Sequence, residues 1–496
     1  MKLGALAQAA GITLDGGSDV AVTGFAIDSR KVAPGTVFGA FKGARFNGED
    51  YIAVAVEAGA VAIVARPEAK VEGAIHIADD EPRRAFARLA AGFFKPVPEL
   101  IVAVTGTNGK TSCVEMTRQI WRMCGERAAS IGTLGVTTPD ESVSTGLTTP
   151  DIVTFLSNMS GLAREGVTRV AYEASSHGLS QFRSEGVPVA AGAFTNFSRD
   201  HLDYHGSMEN YFEAKMRLFD DVVVDGGTAV IVTGASESEW TTRAIEHAQK
   251  RQLRVLTVGE RGEFLRLAAR TPTQLGQTLE VEHDGVTRTV KLPLIGAYQV
   301  ENALTAAGLA LATGADKTAV FDALGRLQPV RGRLERACLT SLGAPVYVDY
   351  AHTPDALEAA IAALRPHVDD ARGGRLIVVF GAGGDRDQGK RAQMGQVASA
   401  AADFVIVTDD NPRSEDPAAI RAQVMEGAGD SARIVGDRRE AIAAAIAEAK
   451  AADVVLIAGK GHEQGQIIGS GENMKVLPFD DVEVARECAS QIGAGS

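Results

Sequence analysis

The segment IVAVTGTNGKTS, residues 101–112, restricts the fold of this chain more than any other. Its four leading apolar residues, three of them β-branched, predict a short buried strand. The chain then turns at Gly106–Gly109, and the apolar spacing in the following CVEMTRQIWRMC predicts an amphipathic helix. A buried strand that turns through glycine directly into a helix is typical of α/β domains with a parallel sheet.

The same segment has the residues of a loop that binds a nucleoside triphosphate. Backbone N–H groups of such a turn face the phosphates, Lys110 can neutralise the β- and γ-phosphate oxygens, and the Thr111 hydroxyl can bind Mg²⁺. The usual pattern G-x-x-x-x-G-K-[ST] has glycine where this chain has Val104, so an ordinary strand-to-helix turn is the alternative. The residues predicted to bind the nucleotide here are Gly106, Thr107, Asn108, Gly109, Lys110, Thr111 and Ser112.

Length, charge and cysteine usage limit the class of protein. A chain of 496 residues is too long for one hydrophobic core, and roughly 150 residues per domain give about three domains. The net charge of −13 argues against broad nucleic-acid binding, and four scattered cysteines without C-x-x-C spacing indicate neither a zinc site nor a disulfide framework. No window approaches about 18 uninterrupted apolar residues, and the N-terminal stretch lacks an apolar signal region, so we expect a cytoplasmic protein without a membrane span.

Proline placement and strand patterns suggest the domain boundaries. FFKPVPEL has two prolines in three residues and indicates a linker near residue 95, and a further region begins near residue 330. We therefore predict domains at 1–95, 96–330 and 331–496. The last contains four apolar β-branched runs, each ending in glycine or polar residues before a helical segment, which predicts a doubly wound α/β sheet with its loops on one edge.

Polar residues follow several strands of the middle region. Glu173 ends one apolar run and His201 follows another, so both are expected at the sheet edge where Thr111 lies, as ligands for Mg²⁺ beside a triphosphate. The alternative is that Glu173 and His201 cap helices or pair at the surface. Lys215 lies in ENYFEAKMRLF, where spacing alone favours a solvated lysine paired with Glu209 or Glu213.

The loops of the last region carry mixed charges, at Asp385, Arg386, Asn411, Arg413 and Glu463. Arginines bind carboxylates in a bidentate manner, while a carboxylate and backbone carbonyls can hold an ammonium group, so this combination suits an amino acid. A surface ion-pair network is the alternative.

Two other positions also have a plain alternative. In DSRKVAPG, Asp28 and Ser29 follow a strand, and residues of this type most often form a turn by bonding to their own backbone. GAYQVENALTAAGLAL predicts a helix over 296–311 whose Asn302 can reach a nucleotide base or act as a simple helix cap.

Taken together, these segments resemble the Mur ligases, the ATP-dependent amino-acid ligases of peptidoglycan synthesis. The resemblance covers all three regions and keeps the order of the family's motifs. The motifs are DSRKVAPGTVF, TGTNGKTS, LTTP, EASSHGL, TNFSRDHLDYHGSMENYFEAK, GRLER, DYAHTPD, GAGGDRDQGKR, DNPRSEDP and GKGHE.

The resemblance implies a three-domain α/β architecture. It consists of an N-terminal UDP-binding α/β domain, a central P-loop ATPase domain with a mostly parallel sheet, and a C-terminal doubly wound, Rossmann-like domain that binds the amino acid. The implied reaction adds meso-diaminopimelate to the D-glutamate γ-carboxylate of UDP-N-acetylmuramoyl-L-alanyl-D-glutamate through an acyl phosphate, with ATP as co-substrate and Mg²⁺ as cofactor. The implied partners are these small molecules only, and a monomer is expected.

The resemblance also assigns residues, position by position. Lys215 matches the lysine that is carbamylated in the family, which overturns the solvated-lysine interpretation. The implied catalytic residues are Lys110, Lys215 and His201, and the implied metal ligands are Thr111, Glu173, His201 and carbamylated Lys215.

The implied ATP contacts beyond the loop are Asn302, Arg333 and Asp349. The implied contacts of the UDP-linked dipeptide are Ser29, Thr148, Thr149, Ser176, Gln181 and Arg183. The implied diaminopimelate contacts are Arg386, Asp410, Asn411, Pro412, Arg413, Gly459 and Glu463.

Three other functions remain as alternatives. A lysine-adding relative is disfavoured by DNPR, because Arg413 suits the second carboxylate of diaminopimelate. A folylpolyglutamate synthase-like ligase is disfavoured by the N-terminal DSRKVAPG motif. The alternative from a different class is a P-loop switch that hydrolyses ATP only to change partners.

Overall fold

The computed structural model describes residues 1–43, 46–143, 148–236, 238–273, 275–429 and 432–494. Leu147 of the LTTP motif therefore lies outside the described residues. The chain forms two compact units, the first made of residues 1–266 and 304–320 and the second of residues 267–303 and 321–496.

The first unit begins with a small parallel sheet and three helices. Its strand order is β1-β2-β3-β4, and every neighbouring pair is parallel. The elements are α1 (Leu3–Ala10), β1 (Gly24–Ala26), β2 (Thr36–Gly39), α2 (Ile52–Glu57), β3 (Ala60–Ala65), β4 (Ile75–Ala78) and α3 (Pro82–Phe93).

The larger sheet of the first unit contains the predicted strand, glycine turn and helix. The elements are β5 (Leu100–Thr105), α4 (Lys110–Met123), β6 (Ala128–Gly132), β7 (Gly135–Thr137), β8 (Ser142–Val143), α5 (Ile152–Arg164), β9 (Arg169–Glu173), α6 (Ser176–Ser180), β10 (Val189–Phe194), α7 (Leu202–His205), α8 (Met208–Arg217), β11 (Val223–Val232), α9 (Glu239–Lys250) and β12 (Arg254–Gly259). Helix α4 starts at Lys110, three residues before the segment in which the apolar pattern begins. The predicted helix is confirmed, and part of its polar face is buried as well, where Glu115 and Arg118 pair with each other at 2.8 Å.

Strand β5 lies at the centre of this sheet, in the order β12-β11-β10-β5-β9-β6-β7-β8. Its neighbours β9 and β10 are both parallel to it, and the register places Val104 beside Glu173 and Thr105 beside Phe194. The carboxyl ends of the three strands therefore share one edge, with the glycine turn between them. In parallel sheets a ligand site is expected at such a point, where connections leave to both sides.

Five elements follow, namely β13 (Leu265–Thr273), β14 (Gly276–His283), β15 (Val286–Leu292), α10 (Ala297–Ala312) and α11 (Lys317–Leu324). Strands β14 and β15 form an antiparallel hairpin in the second unit. Helix α10 confirms the helix predicted from GAYQVENALTAAGLAL.

The remainder of the second unit is the doubly wound sheet that the sequence predicts. The elements are β16 (Glu335–Leu339), β17 (Pro345–Asp349), α12 (Pro354–Leu364), β18 (Leu376–Phe380), α13 (Gly389–Ala401), β19 (Phe404–Val407), α14 (Pro417–Ala428), β20 (Ala432–Ile434), α15 (Arg438–Glu448), β21 (Val454–Ala458), β22 (Gly465–Ile468), β23 (Lys475–Pro478) and α16 (Asp481–Ala494). The strand order is β16-β17-β21-β18-β19-β20, and only the edge strand β16 is antiparallel to its neighbour.

Two apolar layers cover this sheet. Helices α12 and α13 pack on one face through Leu357, Ile361 and Met394, and α15 and α16 pack on the other through Ile442 and Ala485. The carboxyl ends of β17, β21, β18 and β19 lie on one edge because these strands are parallel. The predicted fold class is confirmed, and the domain boundaries near residues 95 and 330 stay predictions.

Short helices of other types connect several elements. The 3-10 helices are Ser29–Lys31, Gly48–Tyr51, Arg365–His367, Asp370–Arg372 and Gly471–Asn473, and a π-helix spans Leu218–Val222.

Two predictions from composition concern the whole chain. Cys113, Cys124, Cys338 and Cys488 all lie in the described part and are present as thiols rather than disulfides. Within the described ranges, no helix combines the length and the apolar character needed to cross a bilayer.

Candidate functional site

The glycine turn after β5 is fixed by hydrogen bonds from the two residues that follow β10. The Thr195 hydroxyl donates to the Asn108 carbonyl oxygen at 2.6 Å, and the Asn196 side-chain oxygen accepts from the Asn108 N–H at 2.9 Å. Gly106 has φ +144°, and a Cβ placed on it would lie 1.9 Å from Thr195 Oγ1. Only glycine fits this position, because any side chain would push the turn away from β10.

Two lysines approach this turn. Lys110, the first residue of α4, donates from Nζ to the carbonyl oxygens of Gly106 at 3.0 Å and Thr107 at 2.8 Å. Lys215 on α8 is 1% exposed, and its Nζ donates to the same Gly106 oxygen at 2.7 Å. Burial, with the nearby Lys110 charge, lowers the pKa of Lys215 well below its usual value. Lys110 therefore brings a positive charge to the turn, as suits a phosphate site.

The interpretation of Lys215 as a solvated residue is wrong. Its proposed partners Glu209 and Glu213 instead pair with Arg243, while Lys215 lies in the interior with its ammonium 4.3 Å from the centre of the Tyr211 ring. Helix α8 turns its apolar face, including Phe212 and Met216, toward the core, and Lys215 lies on that buried side.

Glu173 ends β9 with its carboxylate buried. It accepts hydrogen bonds from the Thr133 N–H at 2.7 Å and from the Thr133 hydroxyl at 3.3 Å. A Cβ on Gly132 would lie 2.2 Å from Glu173 Oε1, so glycine at the end of β6 leaves room for this carboxylate. Helix α4, which contains Thr111, begins at the same edge of the sheet. A buried carboxylate at this edge is a suitable ligand for a hard cation such as Mg²⁺.

His201 lies beyond β10 with φ +50°, directly before the short helix α7. Its side chain is 46% exposed. Burial lowers the pKa of His201, and the charges of Lys110 and Lys215 lower it further. The Asp200 carboxylate, 3.5 Å from His201 Nε2, acts on this pKa in the opposite direction.

Three histidines and a tyrosine cluster beside this turn. The His177 ring lies 4.9 Å from the His201 ring, 5.3 Å from the His205 ring and 4.0 Å from the Tyr204 ring, measured between ring centres. Burial and the two neighbouring histidines lower the pKa of His205 to about 4. The sequence assigned no role to His177, His205 or Tyr204, because their proximity depends on α6 and α7 meeting.

The structure brings four of the six residues implied for the UDP-linked dipeptide into one hydrogen-bonded network, and a fifth, Ser176, bonds separately to His205. Arg183 donates to the Thr149 carbonyl oxygen at 2.9 Å and to Gln181 Oε1 at 2.8 Å, and Gln181 donates to the Tyr204 hydroxyl at 2.8 Å. Ser176 Oγ lies 3.0 Å from His205 Nε2.

Hydrogen bonds connect this network to Glu173 at the end of β9. The Thr149 hydroxyl donates to the Glu173 carbonyl oxygen at 2.7 Å, and Thr148 Oγ1 lies 3.0 Å from Thr133 Oγ1. Within the described residues no hydrogen bond joins Ser29 to this network. Asp28 accepts from the Arg30 N–H at 3.0 Å, so the predicted turn around Ser29 is confirmed.

In the second unit, the residues implied for ATP binding lie close together. Asn302 donates to Gln299 Oε1 and Gln299 donates to the Arg333 carbonyl oxygen, each at 3.0 Å. Asp349, at the end of β17, accepts from the Leu334 N–H at 2.8 Å. Burial raises the pKa of Asp349. Gln299 links these residues, although the sequence marked only its neighbour Asn302.

The residues implied for the amino acid surround the loop after β19. Asn411 donates to Glu463 Oε2 at 2.9 Å, and Arg413 donates to the Gly384 carbonyl oxygen at 2.9 Å. Gly459 has φ +121°, and a Cβ there would lie 3.1 Å from Asp410 Oδ2. Pro412 lies between Asn411 and Arg413 in this loop, with its carbonyl carbon and oxygen against Gly384.

Two acidic residues of this region pair with a buried lysine rather than in a surface network. Asp410 and Glu463 face the ammonium of Lys460, at 3.3 and 3.8 Å. Among the described residues, no carboxylate lies at ion-pair distance from Arg386 or Arg413. Two guanidinium groups without a protein carboxylate beside them suit a ligand that carries carboxylates.

Three family models match this chain. The Mur ligase middle domain matches residues 104–310, the glutamate ligase domain of Mur ligases matches residues 332–461, and the catalytic domain of the Mur ligase family matches residues 21–94.

Similar proteins match over nearly the whole chain. The UDP-N-acetylmuramoyl-L-alanyl-D-glutamate–2,6-diaminopimelate ligase of Zymomonas mobilis subsp. mobilis is 58% identical over 486 residues, which cover 98% of each chain. The protein of that name from Bradyrhizobium diazoefficiens is 51% identical over 476 residues, which cover 95% of this chain and 96% of the other.

A solved structure of a ligase with the same name has a TM-score of 0.75 and 33% identity, and the match covers 99% of both chains. The MurF ligase of Thermotoga maritima in complex with ADP has a TM-score of 0.59 at 20% identity, covering 96% of this chain and 98% of the other, which shows a shared fold.

Proposed function

This chain belongs to the Mur ligase family, and we propose that it joins meso-diaminopimelate to the D-glutamate γ-carboxylate of UDP-N-acetylmuramoyl-L-alanyl-D-glutamate at the expense of ATP. The observation that carries this proposal is the 58% identity, over 98% of both chains, with a ligase named for this reaction. These substrates are small molecules of the cytoplasm, where we propose that the protein acts as a monomer.

The glycine turn and the dipeptide network support the first step. A γ-carboxylate oxygen of D-glutamate attacks the γ-phosphorus of ATP, the bond to the β,γ-bridging oxygen breaks, and ADP leaves an acyl phosphate behind. Lys110 and the N–H groups at the start of α4 offset the charge that develops on the transferred phosphoryl group. Arg183, Gln181 and Thr149 form one connected network and are proposed to hold the dipeptide.

The loop after β19 supports the second step. The diaminopimelate amine attacks the acyl carbon, phosphate leaves, and the nitrogen loses a proton as the amide forms. Asn411 and Glu463 are proposed to bind the ammonium group at the other end of the substrate. Arg386 and Arg413 are proposed to bind its carboxylate groups. Holding both substrates in contact contributes much of the rate, because the step becomes effectively unimolecular.

The residues beside the turn fit a magnesium ion that binds together with the nucleotide. The described residues contain no group of three His, Cys, Asp or Glu side chains that could hold a metal on their own. Mg²⁺ commonly uses one or two carboxylates, phosphate oxygens and water. Thr111, Glu173 and His201 would hold it, a carbamate on Lys215 would support a second Mg²⁺, and such ions neutralise phosphate charge when bound.

A comparison of amino acids in the ligation assay tests this function. The purified protein is given ATP, Mg²⁺ and the UDP-linked dipeptide with meso-diaminopimelate, L-lysine or L-ornithine, and both ADP and the lengthened product are measured. We expect product and stoichiometric ADP only with meso-diaminopimelate. Equal use of L-lysine would favour the lysine-adding alternative, and ADP release independent of both acceptor and amine would favour a switch.

A further inference from the structure

Lys460 is a buried lysine beside the proposed amino-acid site, and no sequence pattern assigns it a role. It lies two residues after β21, and its side chain has no exposure to solvent. Its Nζ donates to Asn411 Oδ1 at 2.8 Å and to the Gly465 carbonyl oxygen at 2.9 Å. A fully buried ammonium needs such partners, because an unpaired charge in the interior is strongly destabilising.

These bonds fix the orientation of the Asn411 amide. Asn411 Oδ1 accepts from Lys460 and also from the Ile467 N–H at 2.9 Å, so both of its lone pairs are used. The opposite orientation would place an NH₂ group against an ammonium and an N–H. Asn411 Nδ2 therefore points to Glu463 Oε2, at 2.9 Å, and keeps one hydrogen for a ligand.

Lys460 also fixes the hairpin formed by β22 and β23. Its second acceptor, Gly465, is the first residue of β22. That strand holds the backbone of Arg413, whose N–H donates to the Ile467 carbonyl oxygen at 3.1 Å, while the Gly469 N–H donates to the Arg413 carbonyl oxygen at 2.7 Å. One ammonium thus connects the amide, the carboxylate and the arginine of the proposed site.

We infer that Lys460 is a positioning residue for the amino-acid substrate, which acts by fixing Asn411 and Glu463. The exposures support this order of action, because the side chain of Glu463 is 34% exposed and that of Lys460 is not exposed. The substrate therefore meets Glu463, the free N–H of Asn411 and Arg413, and never meets Lys460. The inference rests on the proposed function, since it assumes that this loop binds the amino acid.

Steady-state kinetics of Lys460→Met test the inference. This substitution keeps the stem of the side chain and removes its three donors. We expect the KM for meso-diaminopimelate to rise by about 10- to 100-fold, as is typical when a residue that orients a ligand's contacts is lost. The KM values for ATP and for the UDP-linked dipeptide should stay unchanged. Lys475→Met makes the same change at an exposed position of β23 and should leave all three KM values unchanged.

A double-mutant cycle measures the coupling between Lys460 and Asn411, which a general loss of stability would not produce. If Lys460 acts largely through Asn411, then Lys460→Met combined with Asn411→Ala should raise the KM for meso-diaminopimelate by clearly less than the product of the two single effects. Additive effects of the two substitutions would overturn the inference, and so would an unchanged KM in Lys460→Met.

A second variant covers the case in which Lys460→Met does not fold. Lys460→Gln keeps an amide donor for Asn411 and should raise the KM for meso-diaminopimelate by less than Lys460→Met does. Loss of the cooperative thermal transition in both variants would also overturn the inference, because Lys460 would then serve the fold rather than the site. Failure of the wild-type protein to ligate meso-diaminopimelate would instead count against the proposed function.

Discussion

The ammonium groups of Lys110 and Lys215 donate hydrogen bonds to the same oxygen, the carbonyl of Gly106, at 3.0 and 2.7 Å. Like charges that converge on one acceptor repel each other, and more strongly inside a protein than in water. Lys215 is the buried member of the pair, so its pKa falls and its amine becomes neutral more readily. A neutral amine can react with CO₂, and an anion placed at this turn would relieve the repulsion.

We predict that Lys215 is carbamylated. The neutral amine attacks CO₂, a C–N bond forms, and a proton is released, which leaves a carbamate. Protein equilibrated with ¹³C-bicarbonate should show a carbamate ¹³C signal, and Lys215→Arg should lack it. The variant should also lose at least about tenfold in ligation rate, as when a metal's supporting group is removed. A wild-type spectrum without the signal would contradict the prediction.

Gly106→Ala should weaken nucleotide binding at the turn. Its Cβ would lie 1.9 Å from Thr195 Oγ1 at a φ of +144°, so the turn must move away from β10. Calorimetric titration with ADP should show affinity at least about tenfold weaker than that of the wild type. Gly161→Ala is the matched control, because this helical glycine has open space and a Cβ there should stabilise α5 by about 1 kcal/mol. Wild-type affinity in Gly106→Ala would show that the turn does not hold the phosphates.

Arg413→Ala should remove the preference for meso-diaminopimelate over L-lysine. Losing a charged hydrogen bond to the second carboxylate costs about 2 kcal/mol or more, so kcat/KM for meso-diaminopimelate should fall by roughly 30-fold. The affinity for ATP should stay near that of the wild type. Arg433→Ala changes an exposed arginine on β20 and should leave selectivity intact. Unchanged use of meso-diaminopimelate by Arg413→Ala would remove Arg413 from the site.

His462 should make the protein less stable in mild acid. Burial, with the charges of Arg333 and Arg331, lowers the pKa of His462 to about 4. Its Nδ1 is buried without a hydrogen-bond partner among the described residues. Between about pH 6.5 and pH 4 the unfolded chain therefore binds a proton that the folded chain does not, so the free energy of unfolding falls as the pH is lowered.

Thermal unfolding at a series of pH values measures this effect. His462→Phe keeps a ring against Tyr350, whose centre lies 4.9 Å from that of His462, and it cannot be protonated. The midpoint of the variant should fall less than that of the wild type between pH 6.5 and pH 4, and the two should be parallel above pH 7. Identical slopes across the whole range would show that His462 is not protected from protonation.

Local patterns were sufficient for much of the fold. The strand at Leu100–Thr105 and the helix from Lys110 follow from apolar spacing and from the glycines of the turn, which are properties of neighbouring residues. The parallel strands of the second unit were predictable for the same reason. Burial was harder to predict, since the amphipathic pattern of α4 did not show that its polar residues Glu115 and Arg118 lie inside.

The candidate site was predicted unevenly. Thr149, Gln181 and Arg183 were assigned by motif, and they form one network in the structure. Lys460 was missed although it lies in the GKGHE motif, because its partner Asn411 is far away along the chain. The spacing around Lys215 gave a wrong interpretation, since the alternation of charges on α8 says nothing about the turn on which that helix packs.

The sequence by itself determined which segments become strands, turns and helices, and which short motifs carry phosphate- and carboxylate-binding groups. Those properties depend on backbone preferences and apolar spacing within about ten residues. Only the tertiary structure decided that Lys215 shares an acceptor with Lys110 and that Lys460 orients Asn411. Contacts of that kind depend on which strand ends meet at a sheet edge, and burial there changes both the charge state and the available partners of a side chain.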